Sequence, residues 1–274
     1  MFNSLSNKTI VITGASRGIG AAIALKCGQA GANVVILAKT AEPNPQLPGT
    51  IFSVAKEIEA AGGRALPIQI DLRDADAIEA AMLKAAEHFG GIDALVNNAG
   101  VLNITDTLST TMKRFDLMMA VNVRATFCAS QAAIPFLKKS DNPHIVNVAP
   151  PINLNPKWFQ NHLPYTLSKY GMSMCTLGMS AEFAKDGIAV NAVWPKTTIA
   201  TKAVEVHFPQ QVIDGSRKPD IMGDAVYEVL LKNSRDFTGN FLTDEDVLRL
   251  QGKTDFSQYA INEKAELFLD GFLD

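Results

Sequence analysis

Strand-like and helix-like stretches alternate along most of this 274-residue chain, which predicts an α/β protein. The expected architecture is one doubly wound parallel sheet with helices on both faces. Two further observations support it. A glycine-rich turn joins the first strand-like run to the first helix-like run, and no repeat, low-complexity tract or linker divides the chain. Apolar residues make up 47% and charged residues 19%, enough for one large core and too apolar for disorder.

The elements follow in order. Residues 9–12 form a short β-rich run, and residues 18–30 read as a helix punctuated by Gly31. Residues 34–37 are the second strand. Pro43, Pro45 and Pro48 mark an irregular loop, because proline lacks the N–H that helices and sheets use. Residues 51–61 are helical up to Gly62-Gly63, and residues 65–70 form a strand that ends at Asp71. A helix over 74–89 stops at Gly90-Gly91, followed by a buried strand at 94–96. A long amphipathic helix is expected within 107–137, a strand at 145–148, a helix over 165–184 and a strand at 188–193. Residues 219–231 read as helix and 239–242 as extended. Residues 1–245 are expected to form one nucleotide-binding domain, with 246–274 an extension packed on or near it.

Several function classes lose support from composition. A net charge of -3 offers no basic surface for nucleic acid. Cys27, Cys128 and Cys175 are odd in number and far apart, without C-x-x-C or H-E-x-x-H spacing, so no metal site is expected. Free thiols fit a reducing compartment. The N-terminus has no signal-peptide pattern, the last residues are not a targeting address, and no apolar run reaches the ~18 residues of a membrane span. A cytoplasmic location is the expectation.

Thr13-Gly14-Ala15-Ser16-Arg17-Gly18-Ile19-Gly20 follows the first strand and opens the first helix. Glycines there let the backbone approach a pyrophosphate, and the helix N-terminus favours its charge. The sheet is therefore expected to be of the Rossmann type, although a tight turn without ligand would need the same glycines. A site for an unphosphorylated ribose wants a carboxylate at the end of the second strand. Ala38-Lys39 stands there instead, with Arg17 nearby, and two cations without an acid suit the 2′-phosphate of NADP. Tyr165 and Lys169, four apart, share a helix face. A neighbouring ammonium favours the phenolate, so the tyrosine could move a proton to or from a carbonyl oxygen.

Together these motifs resemble the short-chain dehydrogenase/reductase family over about residues 8–243. Thr13-Gly14-x-x-x-Gly18-Ile19-Gly20 looks like its cofactor signature, and Asn97-Asn98-Ala99-Gly100 like the motif that closes the fourth strand on the adenosine side. Tyr165-x-x-x-Lys169 looks like its catalytic pair. The resemblance implies that Lys169 also holds the nicotinamide ribose and that Asn122 kinks its helix and serves proton relay. It implies that Asp71 meets the adenine, where the alternative is a helix N-cap. It also implies that Pro195 and Thr197 precede or enter the nicotinamide-contacting loop. Homodimers or homotetramers through the two long helices are implied as well.

One position departs from the family. Its usual serine, just beyond the strand at 145–148, falls on Pro150, with Ala149 beside it; neither carries a hydroxyl. Losing one polarising donor typically costs ~10² to 10³ in turnover. Asn153, Asn155 and His162 are the candidate replacements, each with a loop-structuring alternative, and Asn153 is expected to take the role. Trp158, Phe159, Leu163, Trp194, Ile199, Val204, Val206 and Phe208 suggest a hydrophobic carbonyl or alcohol substrate, although core or interface packing would use them equally. The alternatives to such an oxidoreductase are an NADP-binding sensor or assembly protein with little catalysis, and a dehydratase or epimerase on the same scaffold.

Overall fold

Seven parallel strands form one sheet in the order β3-β2-β1-β4-β5-β6-β7 in a computed structural model that describes residues 4–274. They are β1 (Thr9–Thr13), β2 (Asn33–Ala38), β3 (Arg64–Gln69), β4 (Ala94–Asn97), β5 (His144–Asn147), β6 (Ala189–Trp194) and β7 (Phe241–Thr243). All but the two edge strands are buried along their whole length, as expected of a parallel sheet covered on both faces. The two-residue period of β1 divides the core. Ile10 and Ile12 face the layer of α1 (Gly18–Gln29), α2 (Ile51–Ala60) and α9 (Asp220–Leu230), whereas Val11 faces α3 (Ala75–Phe89) and α5 (Ala125–Leu137). The expected fold class, a single doubly wound Rossmann-type sheet, is the one observed. Strand order reverses between β1 and β4, which opens a crevice at the strands' carboxyl ends.

The long helix expected within 107–137 differs in detail. Thr111 caps its start by accepting from Arg114 N–H, so residues 107–110 stay outside. The rod then runs through α4 (Met112–Met118), a π-helical turn (Met119–Arg124) and α5. Its length and apolarity would suit a membrane span, but the rod lies against α3 and α6 (Leu163–Glu182). Its buried Asn122, Thr126 and Ser130 are all hydrogen-bonded within the protein. Two short helices, α7 (Lys202–His207), which lines the crevice, and α8 (Gln210–Asp214), which packs on α7, have no counterpart in the sequence reading.

The boundary expected at 245 is crossed by α10 (Asp244–Arg249), which packs on α9. The following chain returns to the crevice. Phe268 donates its N–H to Gly215 O and accepts from Thr198 N–H, and Asp270 N–H donates to Lys196 O. Leu269 bridges Thr197 in antiparallel fashion, so the last residues line the segment that follows β6.

His144, at the start of β5, yields a pH prediction. Its Nε2 lies 3.1 Å from Lys232 O, an acceptor, so Nε2 carries the proton and buried Nδ1 has no partner among the described residues. Burial pushes its pKa down to about 4 from 6.5. The folded state therefore resists a proton that the unfolded state accepts. Stability should fall by about 1.4 kcal/mol per pH unit from this group as pH drops from 6.5 towards 4. Denaturant titrations of wild type and His144→Gln across that window measure it, and the variant should lack that part of the slope.

Candidate active site

The glycine-rich turn after β1 is shaped by close approach. Gly14 has φ +69°, and a Cβ there would lie 2.7 Å from Ala99 Cα. A Cβ on Gly20 would lie 2.4 Å from Asn98 Nδ2, which itself donates to Thr13 O and Gly14 O. Thr13 Oγ1 accepts from the N–H groups of Asn98 and Ala99 and so ties the turn to the end of β4. The first N–H groups of α1 are left without a side-chain cap. A groove of about 480 Å³ runs along Gly14, Ser16, Arg17, Gly18, Ile19, Gly20, Asn98, Ala99 and Gly100, which is where the sequence places cofactor contacts. These residues fit a dinucleotide: bare backbone, an open helix N-terminus and no side chain filling the cradle.

The cations are less free than the sequence suggests. Arg17 donates to the backbone carbonyls of Leu47, Pro48 and Gly49 and so pins the proline-rich loop. Lys39 is largely exposed and lies 3.4 Å from Asp71. Arg73, missed in the sequence reading, chelates Asp71 at 2.9 and 2.5 Å and holds its carboxyl well below the usual range. The capping alternative for Asp71 falls instead to Asp74, which accepts from Asp76 and Ala77 N–H at the start of α3. Thr197 is buried and lines neither cavity, contrary to expectation; Thr198 and Thr201 do.

The groove opens into a cavity of about 410 Å³ that holds the expected pair. Tyr165 and Lys169 stand one turn apart on α6, and both face it. The Tyr165 hydroxyl has no hydrogen-bond partner among the described residues. Lys169 is 5% exposed; its Nζ donates to Val148 O at 2.6 Å and sits 4.9 Å from the Trp194 ring centre. Burial pulls the lysine down to about 7, partly opposed by the Asp270 carboxyl. The tyrosine moves opposite to expectation: burial, and then Asp270, raise its phenol. Lys169 is already committed to Val148 and its own charge is weakened, so it does not offset that burial.

Asn122 sits in the π-turn, fully buried. Its Oδ1 accepts from Val101 N–H at 2.7 Å, and its Nδ2 donates to Val101 O and Ser168 Oγ. The carboxamide thus anchors the cavity wall at Val101 and shares no hydrogen bond with Lys169.

Ala149 and Pro150 follow β5 as expected and are buried, but neither lines the cavity. The expectation that Asn153 replaces the serine is corrected. Its Nδ2 donates to Phe272 O at 3.3 Å and to Asp274 Oδ2 at 2.8 Å, and its backbone is clamped by the Tyr170 hydroxyl. Asn155 caps a 3₁₀ turn (Pro156–Trp158) by accepting from Lys157 N–H. His162 does line the cavity. Its Nδ1 lies 2.9 Å from Thr166 Oγ1, whose own proton goes to Trp158 O at 2.5 Å. Nδ1 must therefore donate, and neutral His162 shows the cavity a bare Nε2 that accepts but cannot donate.

The remaining wall comes from the C-terminus. Leu269, Asp270, Gly271 and Phe272 all line the cavity. Phe272 is 2% exposed and its ring lies 5.3 to 6.3 Å from those of Trp158, His162, Tyr165, Tyr170 and Trp194. Gly271 O accepts from Trp194 Nε1, and Asp274 pairs with Lys157. Of the apolar residues expected to meet substrate, Trp194, Ile199, Val204 and Phe208 line the cavity; Trp158 and Phe159 pack in the core around it. Nothing in the local pattern of residues 268–272 signalled this role.

Known proteins share this arrangement. The family profile described as short chain dehydrogenase matches residues 8–211. The chain is 56% identical over 270 residues to Hydroxysteroid dehydrogenase-like protein 2 of Xenopus laevis, covering 98% of this chain and 64% of that protein. It therefore spans less than two-thirds of the length of that relative. A crystal structure of a short chain dehydrogenase from Mycobacterium thermoresistibile superposes with TM-score 0.93 at 50% identity, covering 99% of this chain and 96% of the other. A metagenomic short-chain oxidoreductase in complex with NADP superposes with TM-score 0.73 at 31% identity, covering 88% and 98%. With the sheet order, the glycine turn and the Tyr165–Lys169 pair each in register with that match, the chain belongs to the short-chain dehydrogenase/reductase family.

Proposed function

We propose that this protein is an NADP-dependent oxidoreductase that interconverts a hydrophobic carbonyl compound and its alcohol. The observation that carries the reading is the uncommitted Tyr165 hydroxyl in a mostly apolar cavity, above a buried Lys169 and continuous with the glycine groove. When bound, the nicotinamide supplies or takes the hydride. Tyr165 gives the proton to the carbonyl oxygen in reduction and removes it in oxidation. A phenol kept protonated by burial suits the reducing direction. Lys169, whose Nζ donates to Val148 O, would contact the nicotinamide ribose and support the tyrosine's proton exchange. Exposed apolar residues on one side of α5 and α6, such as Phe127, Leu167, Met174 and Leu177, support a homo-oligomer through those helices. Three free cysteines support a reducing compartment such as the cytoplasm.

The choice of NADP rests on the largely exposed Lys39 and on the absence of an acid directly after β2. NADPH should bind more tightly than NADH. Lys39→Ala should weaken NADPH about ten-fold while hardly changing NADH, since a charged hydrogen bond is worth about 1.5–3 kcal/mol. Titrations of nucleotide fluorescence measure both, and equal losses for the two nucleotides would remove Lys39 from phosphate recognition. A second reading, an NADP-binding sensor with little catalysis, is favoured by one observation: no hydroxyl follows β5. NADPH oxidation with a panel of hydrophobic ketones and aldehydes separates the two, because only the enzyme turns any of them over.

A further inference from the structure

The cavity lacks the serine hydroxyl of its family, yet a carbonyl oxygen beside Tyr165 needs a second donor to bind in a fixed orientation. The polar groups that line it can be taken in turn. Asn98 is committed to the glycine turn, Asn122 to Val101 and Ser168, and Lys169 to Val148 O. Thr198 Oγ1 pairs with Ser216 Oγ at 2.7 Å. His162 offers only an acceptor. Thr201 packs against Gly18, at the phosphate end of the groove.

Asp270 remains. Its Oδ1 accepts from Gly271 N–H at 2.6 Å, and its Oδ2 has no hydrogen-bond partner among the described residues. Its backbone is fixed at Lys196 O, and the next carbonyl, that of Gly271, accepts from Trp194. Phe272, with φ +71°, holds an uncommon conformation for a bulky residue; surrounding rings keep it there. This over-determined segment carries one carboxyl to the wall that Tyr165 and Lys169 share.

We infer that Asp270, in its protonated form, donates the second hydrogen bond to the substrate's carbonyl oxygen, so that a carboxyl from the C-terminal segment stands in for the missing serine. This rests on the redox reading of the site. The groups facing Asp270 are Lys169 and Tyr165 from α6, His162 at its N-terminus and Asp244 from α10. Burial and, less strongly, the Asp244 carboxyl push Asp270 up to about 7, while the Gly271 N–H and then Lys169 oppose them.

Two measurements test the inference on the full chain. The first needs no substrate: a ¹³C NMR titration of the Asp270 carboxyl, assigned with Asp270→Asn. A midpoint near 7 is expected, and one below 5 overturns the inference. The second is NADPH oxidation with 2-decanone, decanal and 4-phenyl-2-butanone. Reduction by wild type should fall as pH rises through about 7, because only the protonated carboxyl donates. Asp270→Ala should lower kcat by ~10²- to 10³-fold with NADPH affinity unchanged. Asp270→Asn, which keeps a donor, should stay within about ten-fold of wild type and lose the part of that alkaline fall that the carboxyl causes. If wild type works and Asp270→Ala matches it, or Asp270→Asn is as slow as Asp270→Ala, the role of Asp270 is overturned while the redox reading stands. If wild type turns over no compound, both fall together.

Discussion

Tyr165→Phe is expected to lower turnover by about 10²- to 10⁴-fold, the range for removing a positioned general acid or base. The reason lies in what the hydroxyl does in the structure. It makes no hydrogen bond to the described residues and faces the cavity, so removing it breaks no structural contact. The ring remains, packed 6.3 Å from that of Phe272. Nucleotide affinity and the thermal midpoint should therefore hold while kcat collapses. Steady-state NADPH oxidation with any ketone that wild type reduces, set beside nucleotide titration and a thermal melt, measures the three quantities. A variant that keeps wild-type turnover would refute the acid role of Tyr165, whereas one that loses nucleotide binding would show a structural role for the hydroxyl.

Strand and helix identities came from short-range patterns: continuous apolar runs for covered strands, glycines at helix ends and proline in the loop. Such patterns are local, so β1, α1 and β2 were readable. The Tyr165–Lys169 pair was readable for the same reason, since four residues on a helix define one face. The glycine turn was readable because only glycine tolerates Ala99 at 2.7 Å. Electrostatics was another matter. Sequence places Arg17 and Lys39 near a phosphate, but partners decide whether they are available, and Arg17 is bound to three loop carbonyls. Likewise, a lysine four residues away implies a lowered phenol, yet burial raises it, and part of its surroundings, the Asp270 carboxyl and the Phe272 ring, is remote in sequence. Asn153 illustrates the limit most clearly. It lies in the insert that follows the missing serine's position and could donate an amide N–H, and the chain folds that amide towards Asp274 instead.

Phe272→Ala carries the other large expected effect. Removing a buried phenylalanine costs about 3–5 kcal/mol, and this ring is the centre of five others. The loss should not spread evenly. Residues 268–274 are attached by a few hydrogen bonds, the Asp274–Lys157 ion pair, Leu273 and this ring, whereas the sheet beneath is buried on both faces. The segment should therefore open locally, with the amides of Phe268 and Asp270 exchanging about 10²- to 10³-fold faster while those of β1 stay protected. Opening removes one wall of the cavity, so the apparent affinity for a hydrophobic ketone should fall with it. Phe272→Gly separates packing from backbone strain. It leaves the same void, but glycine accepts φ +71° without the ~1–2 kcal/mol that a left-handed conformation costs other residues. Glycine should therefore protect the Phe268 and Asp270 amides better than alanine does, although it loses more entropy on ordering. The reverse order would mean that the positive φ is not an energetic feature of the closed segment. Equal protection of these amides in wild type and Phe272→Ala would mean that the aromatic cluster does not hold it closed.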